Sequence, residues 1–293
     1  EYPERLTQGL GIPGMNIERA IYAGSFLMVA VVWQLVQLVD TVGTILDVLS
    51  LTVLAGLAWF LLFRCTKVER ERMFVLILLT LSTVVFWALF EQGAGSMTLY
   101  ADRVTDKTLF GITLTAAQFG AANSFFIFSL APLFAMLWIR LGRRGWEPST
   151  PVKFSLGIAQ AGLGFGALVY GAQFPDQAGV VSAWWLIVAY LLHTTGELCL
   201  SPVGLSAVTK LAVPSVVGVM MGTWFLASAY SSYVAAQIAT IAARPANESN
   251  LNLTDALSGY TELFSQLLTI GLAGGAVLLV LSPVLKRMMH GVR

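Results

Sequence analysis

Eight stretches of the chain stay apolar for about 20 residues or more: approximately 20–39, 44–63, 73–100, 115–141, 152–173, 181–211, 216–243 and 260–287. Each meets the ~20 residues that a helix needs to cross a hydrocarbon layer. Short links bearing charge, Pro or Gly separate them. Lipid offers no partner to a free amide or carbonyl, so every stretch is expected to be a helix and none an open strand. The predicted class is all-α, integral to a membrane. At 1.5 Å per residue, 181–211 would run roughly 46 Å, which implies tilt, a kink or protrusion. Pro132 and Pro202 are the expected kink points, freeing the carbonyls of Phe128 and Leu198.

Composition agrees, with 57% hydrophobic and 11% charged residues against roughly 25% charged in ordinary globular chains. That excludes a soluble domain. A net charge of +1 leaves no broad basic field for nucleic acid, so the charges must be read by position. Fourteen of the 17 basic residues fall in alternate connections and the termini, among them Arg5, Arg19, Arg64, Arg140, Lys153, Lys210, Lys286 and Arg293. Arg103, Lys107 and Arg244 alone fall on the other side. Since cytoplasmic loops retain Lys and Arg, both termini are expected in the cytoplasm. Cys65 and Cys199 lie in different segments and suit neither a disulfide framework nor a metal site. No Met or signal peptide opens the chain, which reads as a cut piece of something longer.

Organisation follows from the links. Residues 1–19 read as a cytoplasmic linker, 20–63 as a transmembrane hairpin turning at Asp40 to Gly43, and 64–293 as a six-helix bundle. Glycines in 157–171 and 271–275 suit close helix contact.

Two carboxylates break the apolar pattern. Glu91, in FWALFEQ (Phe86 to Gln92), and Glu197, in GELCLSPVGLSAVTKLA (Gly196 to Ala212), have no Lys or Arg within ten residues along the chain. A charge at that depth is costly and usually functional. Burial favours the neutral form of a carboxyl group and a nearby cation favours the ionised one, so such a group can switch as its partners change. His193, Glu197 and Ser201 recur every four residues, with Gly204 continuing the stripe, so they share one helix face turned to a cavity or a partner helix. His193 reads as a hydrogen-bonded polar residue; HxxxE without a third ligand is no metal site. Gly93 and Gly95 should bend the helix beyond Glu91. Asp102, Arg103 and Asp106 could pair among themselves, gate the outer mouth, or form a solvated loop cluster. Gln118 precedes Asn123, a buried amide that demands a partner. Trp224 lies among Ser228, Ser231 and Ser232 and, by itself, reads as core.

These strings resemble the signature segments of the proton-coupled oligopeptide transporters of the major facilitator superfamily. The matches are FWxxFEQ at Phe86 to Gln92, a buried Asn at Asn123, GELxxSPVGLSxxTKLAP at Gly196 to Val213, and Gly-x-Trp at Gly222 to Trp224. The resemblance implies a C-terminal six-helix bundle plus the two-helix hairpin of bacterial members, with a missing N-terminal six-helix half as partner. It further implies proton-driven symport of di- and tripeptides by alternating access. On that reading Glu197 receives the peptide amine, Glu91 is the proton-linked gate, Asn123 contacts the peptide backbone, Ser201 lies beside Glu197, and Trp224 and Trp87 wall the pocket. The coupling ion is H+, with no further cofactor. The ExxERFxYY motif and the cations that would answer the glutamates are absent from these residues. A transport-inactive membrane interaction module is the alternative; an enzyme is not expected, since no nucleophile–base pair appears.

Overall fold

A computed structural model describes residues 16–243 and 252–292. Arg5 with most of the expected linker 1–19, Arg244, and Arg293 lie outside the described residues. The chain divides into two compact units, with the boundary between Thr52 and Val53.

In the first unit, α1 (Ile17–Gln37) starts at Asn16, whose side chain accepts from the Arg19 amide at 2.9 Å. None of its residues is buried. Leu38 interrupts the helix, and α2 (Val39–Phe63), within which the boundary between the units falls, begins directly after it. The expected turn at Asp40 to Gly43 is therefore corrected: those residues form the first turns of α2. Nothing there forbids a helix, and the Val42 amide reaches the Leu38 carbonyl at 2.9 Å while the Thr44 hydroxyl reaches that of Asp40 at 3.0 Å.

In the second unit, α3 (Lys67–Phe90) opens on a capping box between Thr66 and Glu69. It does not run on to residue 100. Glu91–Gly93 form a single 3-10 turn, and α4 (Ser96–Val104) follows at a break marked by Gly95. After short strands come α5 (Ala121–Arg143), α6 (Thr150–Gly171), α7 (Trp184–Leu211), α8 (Val217–Ala243) and α9 (Leu253–Met288). Pro132 and Pro202 both lie inside uninterrupted helices. Cys65, just before α3, and Cys199 in α7 are both free thiols; partial burial, with Glu69 nearby, pushes the Cys65 thiol up and keeps it protonated.

By length and composition, seven spans among the described residues can cross a membrane. The eighth expected run, α8, is a 27-residue helix that falls short of them in hydropathy because Thr223, Ser228, Ser231, Ser232 and Thr240 interrupt its apolar surface.

Packing centres on α6, which lies against α7 on one side and α9 on the other, while α3 touches α6, α7, α8 and α9. Glycines set these distances, as their clustering predicts. A Cβ on Gly271 would sit 2.5 Å from the Gly162 Cα, and one on Gly196 2.7 Å from the Gly157 carbonyl oxygen. Without a hydrophobic force between helices in lipid, such close van der Waals contact supplies much of the association.

The links gather at the two ends. At one end β1 (Thr105–Asp106) pairs in parallel with β2 (Val181–Ser182). There Lys107 pairs with Asp102 at 3.2 Å and Arg103 donates to the Tyr260 hydroxyl at 3.0 Å. Of the readings open for Asp102, Arg103 and Asp106, pairing among themselves is not what forms: Asp102 goes to Lys107 and Arg103 reaches Tyr260 of α9. At the other end the start of α3 meets the tail of α9, with His290 Nε2 2.6 Å from Glu71 Oε2.

Gly271→Leu should drive a side chain into the α6 backbone and cost about 1–3 kcal/mol, a fall in Tm of order 5 °C. Gly56→Ala, with open space around it, should leave Tm unchanged or raise it slightly. Thermal denaturation of both variants in the same detergent checks the contrast; equal Tm values would show that the seam is not close-packed.

Candidate functional site

The break after Phe90 builds the site. Once α3 ends, the Gly93 carbonyl has no helical partner, and it accepts from the Tyr190 hydroxyl of α7 at 2.9 Å and the Thr98 hydroxyl at 2.8 Å. Gln92 is fully buried and donates to the carbonyls of Ala88 at 3.2 Å and of Ala235 in α8 at 3.1 Å, while accepting from Ser96 at 2.8 Å. Small residues permit this, since a Cβ on Gly95 would lie 3.0 Å from that of Ala239. The interruption is thereby bolted to α7 and α8.

Glu91 sits at the break, half-buried, and accepts from the Ser232 hydroxyl of α8 at 2.8 Å. Asn123, in the first turn of α5, donates to Glu197 Oε2 at 3.2 Å and to the Thr194 hydroxyl at 3.0 Å. Thr194 passes the chain on to the Tyr190 carbonyl at 2.7 Å. Among the described residues neither glutamate pairs with Lys or Arg. A cavity of about 410 Å³ joins the two polar groups, lined by Glu91, Asn123, Tyr190, His193, Phe90 and Thr98 together with small residues. Glu91 lines this space directly, whereas Glu197 does not and is joined to its wall through Asn123; each carboxylate holds a neutral donor. Such an arrangement can accept a cationic group or a proton without first breaking an ion pair.

The stripe on α7 does share one side of the helix, yet its members meet different neighbours. Glu197 faces α5. His193 is buried between Phe90 and Phe165, with Nε2 2.9 Å from the Ala161 carbonyl and its ring fitted over Gly164, where a Cβ would lie 2.4 Å away. Ser201 is half-buried a turn beyond Glu197. Gly204 receives the Trp224 indole, whose ring would lie 2.0 Å from an added Cβ.

Trp224 and Trp87, expected as pocket walls, do not line this cavity, and neither do Glu197 and Ser201. Trp224 is 6% exposed and fills the space between Gly204 and Phe154, because an indole over a glycine is close packing. Trp87 is half-buried and stacks edge-on with Phe86 and Phe90, each at 5.2 Å. Sequence reasoning missed Tyr190, Thr194 and Ser232 as partners. The signal existed for the first two, which precede Glu197 by seven and three residues and so share its helix face.

Asn123→Leu removes both donations in one step. With about 0.6 kcal/mol for an average interhelical bond in a bilayer, the expected destabilisation is about 1–2 kcal/mol, measured as a Tm decrease relative to wild type. An unchanged Tm would show that α5 is not held to α7 through this amide.

Comparison with known proteins bears on what the site belongs to. A sequence profile for the PTR2 group, described as the POT family, matches residues 27–257. The chain is 36% identical over 299 residues to the uncharacterized transporter YclF of Bacillus subtilis (strain 168), covering 97% of this chain and 58% of that protein. Dipeptide and tripeptide permease B of Aliivibrio fischeri (strain MJ11) is 33% identical over 222 residues, 75% of this chain and 44% of the permease. A crystal structure of the peptide transporter POT in complex with sulfate superposes with a TM-score of 0.73 at 31% identity, covering 94% of this chain and 54% of the other. The chain therefore spans about half the length of the relatives it matches. With a family match over most of its length, and with Glu91 and the Asn123–Glu197 pair within one helical bundle, the chain belongs to the POT family of transporters.

Proposed function

We propose that the protein containing this chain is a proton-driven symporter of di- and tripeptides in a bacterial inner membrane, working by alternating access. This chain supplies the C-terminal part of its binding site, residues 20–63 are the helix pair between the two halves, and an N-terminal six-helix half supplies the rest. Both ends of the chain face the cytoplasm on this reading. The observation that carries the proposal is the pair of carboxylates that, among the described residues, have only hydroxyl and amide donors: Glu91 on the wall of a 410 Å³ cavity, and Glu197 joined to that wall through Asn123. Named relatives add support: the permeases that resemble this chain are dipeptide and tripeptide permeases.

The chemistry follows from what each carboxylate lacks. Glu197 has one neutral donor in Asn123, so a peptide ammonium group arriving in the cavity offers it a charge-assisted bond roughly twice as strong as a neutral one. Asn123 keeps further hydrogen-bonding capacity for a peptide amide. Glu91 sits where α3 gives way to α4, and Ser232 ties it to α8. A proton on Glu91 removes a buried charge from the junction between those elements, so protonation and deprotonation favour different packings of it. Peptide and proton then bias the same two-state element, which is the requirement for coupled transport. Trp224 and Trp87 are assigned to shaping the bundle around the site, and Ser201 to the polar surface beside Glu197.

In the intact transporter, Glu197→Gln should reduce uptake of peptides with a free amine by at least tenfold while leaving membrane insertion unchanged, since a neutral amide forfeits the ionic bond. Proteoliposome uptake of a labelled dipeptide checks this, and wild-type rates would remove Glu197 from the site.

Glu91→Gln should act differently. An amide mimics the protonated acid at every pH, so exchange of peptide down its gradient should persist, while accumulation driven by an imposed proton gradient should be lost. Accumulation retained in the variant would contradict the coupling role.

A further inference from the structure

We propose that the end of the bundle where α6 begins and α9 finishes holds a binding site for a phosphate-bearing group, the headgroup of an anionic phospholipid. A cavity of about 550 Å³ opens there, apart from the one beside Glu91, and three cations line it against a single carboxylate. That carboxylate, Glu147, is already committed to Lys153 at 2.6 Å. Lys153 itself is buried at the cavity wall, with its ammonium 4.6 Å from the centre of the Trp138 ring. Its charge is therefore answered from two sides. Lys286 and Arg287, exposed in the last turn of α9, have no acid paired with them among the described residues. Two unanswered cations at the rim of a cavity of this size call for a compact dianionic or monoanionic ligand.

Phosphate fits the donor set better than carboxylate. An arginine fork matches two phosphate oxygens and the neighbouring ammonium supplies a point charge to a third. A free phosphate and a lipid headgroup share this chemistry, and the surfaces leading from the cavity favour lipid. Val277, Val280 and Val284 form one face of α9 directly before the two cations, with Val280 77% exposed, and Leu156 and Leu163 are exposed on α6. Aliphatic stripes running from a phosphate site along the bundle are complementary to acyl chains, and basic clusters at the end of a membrane helix attract anionic lipid at the interface.

The test uses the full-length protein, purified free of lipid in a neutral detergent and titrated with phosphatidylglycerol, phosphatidylcholine or inorganic phosphate, with bound lipid counted by native mass spectrometry. Phosphatidylglycerol should bind more tightly than phosphatidylcholine. The double variant Lys286→Gln/Arg287→Gln, at two exposed positions that the fold does not need, should weaken phosphatidylglycerol binding about thirtyfold. A charge-matched control, Arg64→Gln/Lys67→Gln, removes two cations outside the cavity and should bind as wild type. Competition by millimolar inorganic phosphate that depends on Lys286 and Arg287 would support the phosphate site with a free anion as its occupant. Equal binding by wild type and the cavity variant, or equal loss in both double variants, would overturn the proposal.

Discussion

A helix inside a membrane can be interrupted only where something else answers the backbone groups that the interruption frees. An unanswered group in hydrocarbon costs several kcal/mol, enough to restore a straight helix. Between Glu91 and Gly95 the answers are specific: the Gly93 carbonyl receives Tyr190 and Thr98, and the Gln92 amide spans from Ala88 to Ala235. The break is consequently shared property of α3, α7 and α8. Glu91 is placed at the cavity because of where that break falls, and α4 leaves toward the loops in a direction the bundle has fixed.

Glycine distribution decides the rest of the geometry. Along α6, Gly157 and Gly164 face α7, and Gly162 faces α9. Replacing any of them with a larger residue would move a whole helix, since packed helices have no slack. His193 fits only because Gly164 lacks a side chain, and Trp224 only because Gly204 does. The residues that hold Glu197 in place are thus largely residues with no chemistry of their own. Small residues on α6 and α7 do the positioning, and the polar groups of the site occupy what they leave open.

The electrostatic character of the bundle is divided by depth. Midway along the helices the acids have hydroxyl and amide partners, while at the ends some cations pair with acids or aromatic rings, as Lys107 does with Asp102 and Lys153 with Glu147 and Trp138. Charge that is paired at the ends is cheap because water is near; charge at midplane must be neutralised or answered by an arriving group. On the proposed function, that arriving group is the peptide amine or a proton.

Much of this was legible from residue order alone. Eight apolar runs predict helices, and each falls on a helix of 21 residues or more, though 73–100 is broken between Glu91 and Gly95 and 181–211 opens on the strand Val181–Ser182. The seam of glycines, the isolation of Glu91 and Glu197 from cations, and the bend near Gly93 and Gly95 also follow from spacing and residue type, because burial in lipid penalises each unpartnered polar group and so makes it conspicuous. Periodicity cannot say which helices become neighbours. Hence the partners of Asn123, the Ser232 bond to Glu91 across 141 positions and the reach of Arg103 to Tyr260 came only from the tertiary structure. The same holds for Leu38 as the helix break in place of Asp40 to Gly43, a choice between local hydrogen bonds too close in energy for composition to settle. Trp224 makes the distinction plainest: its sequence context marks an indole among serines, but whether that indole faces a cavity or covers Gly204 depends on how α7 and α8 pack.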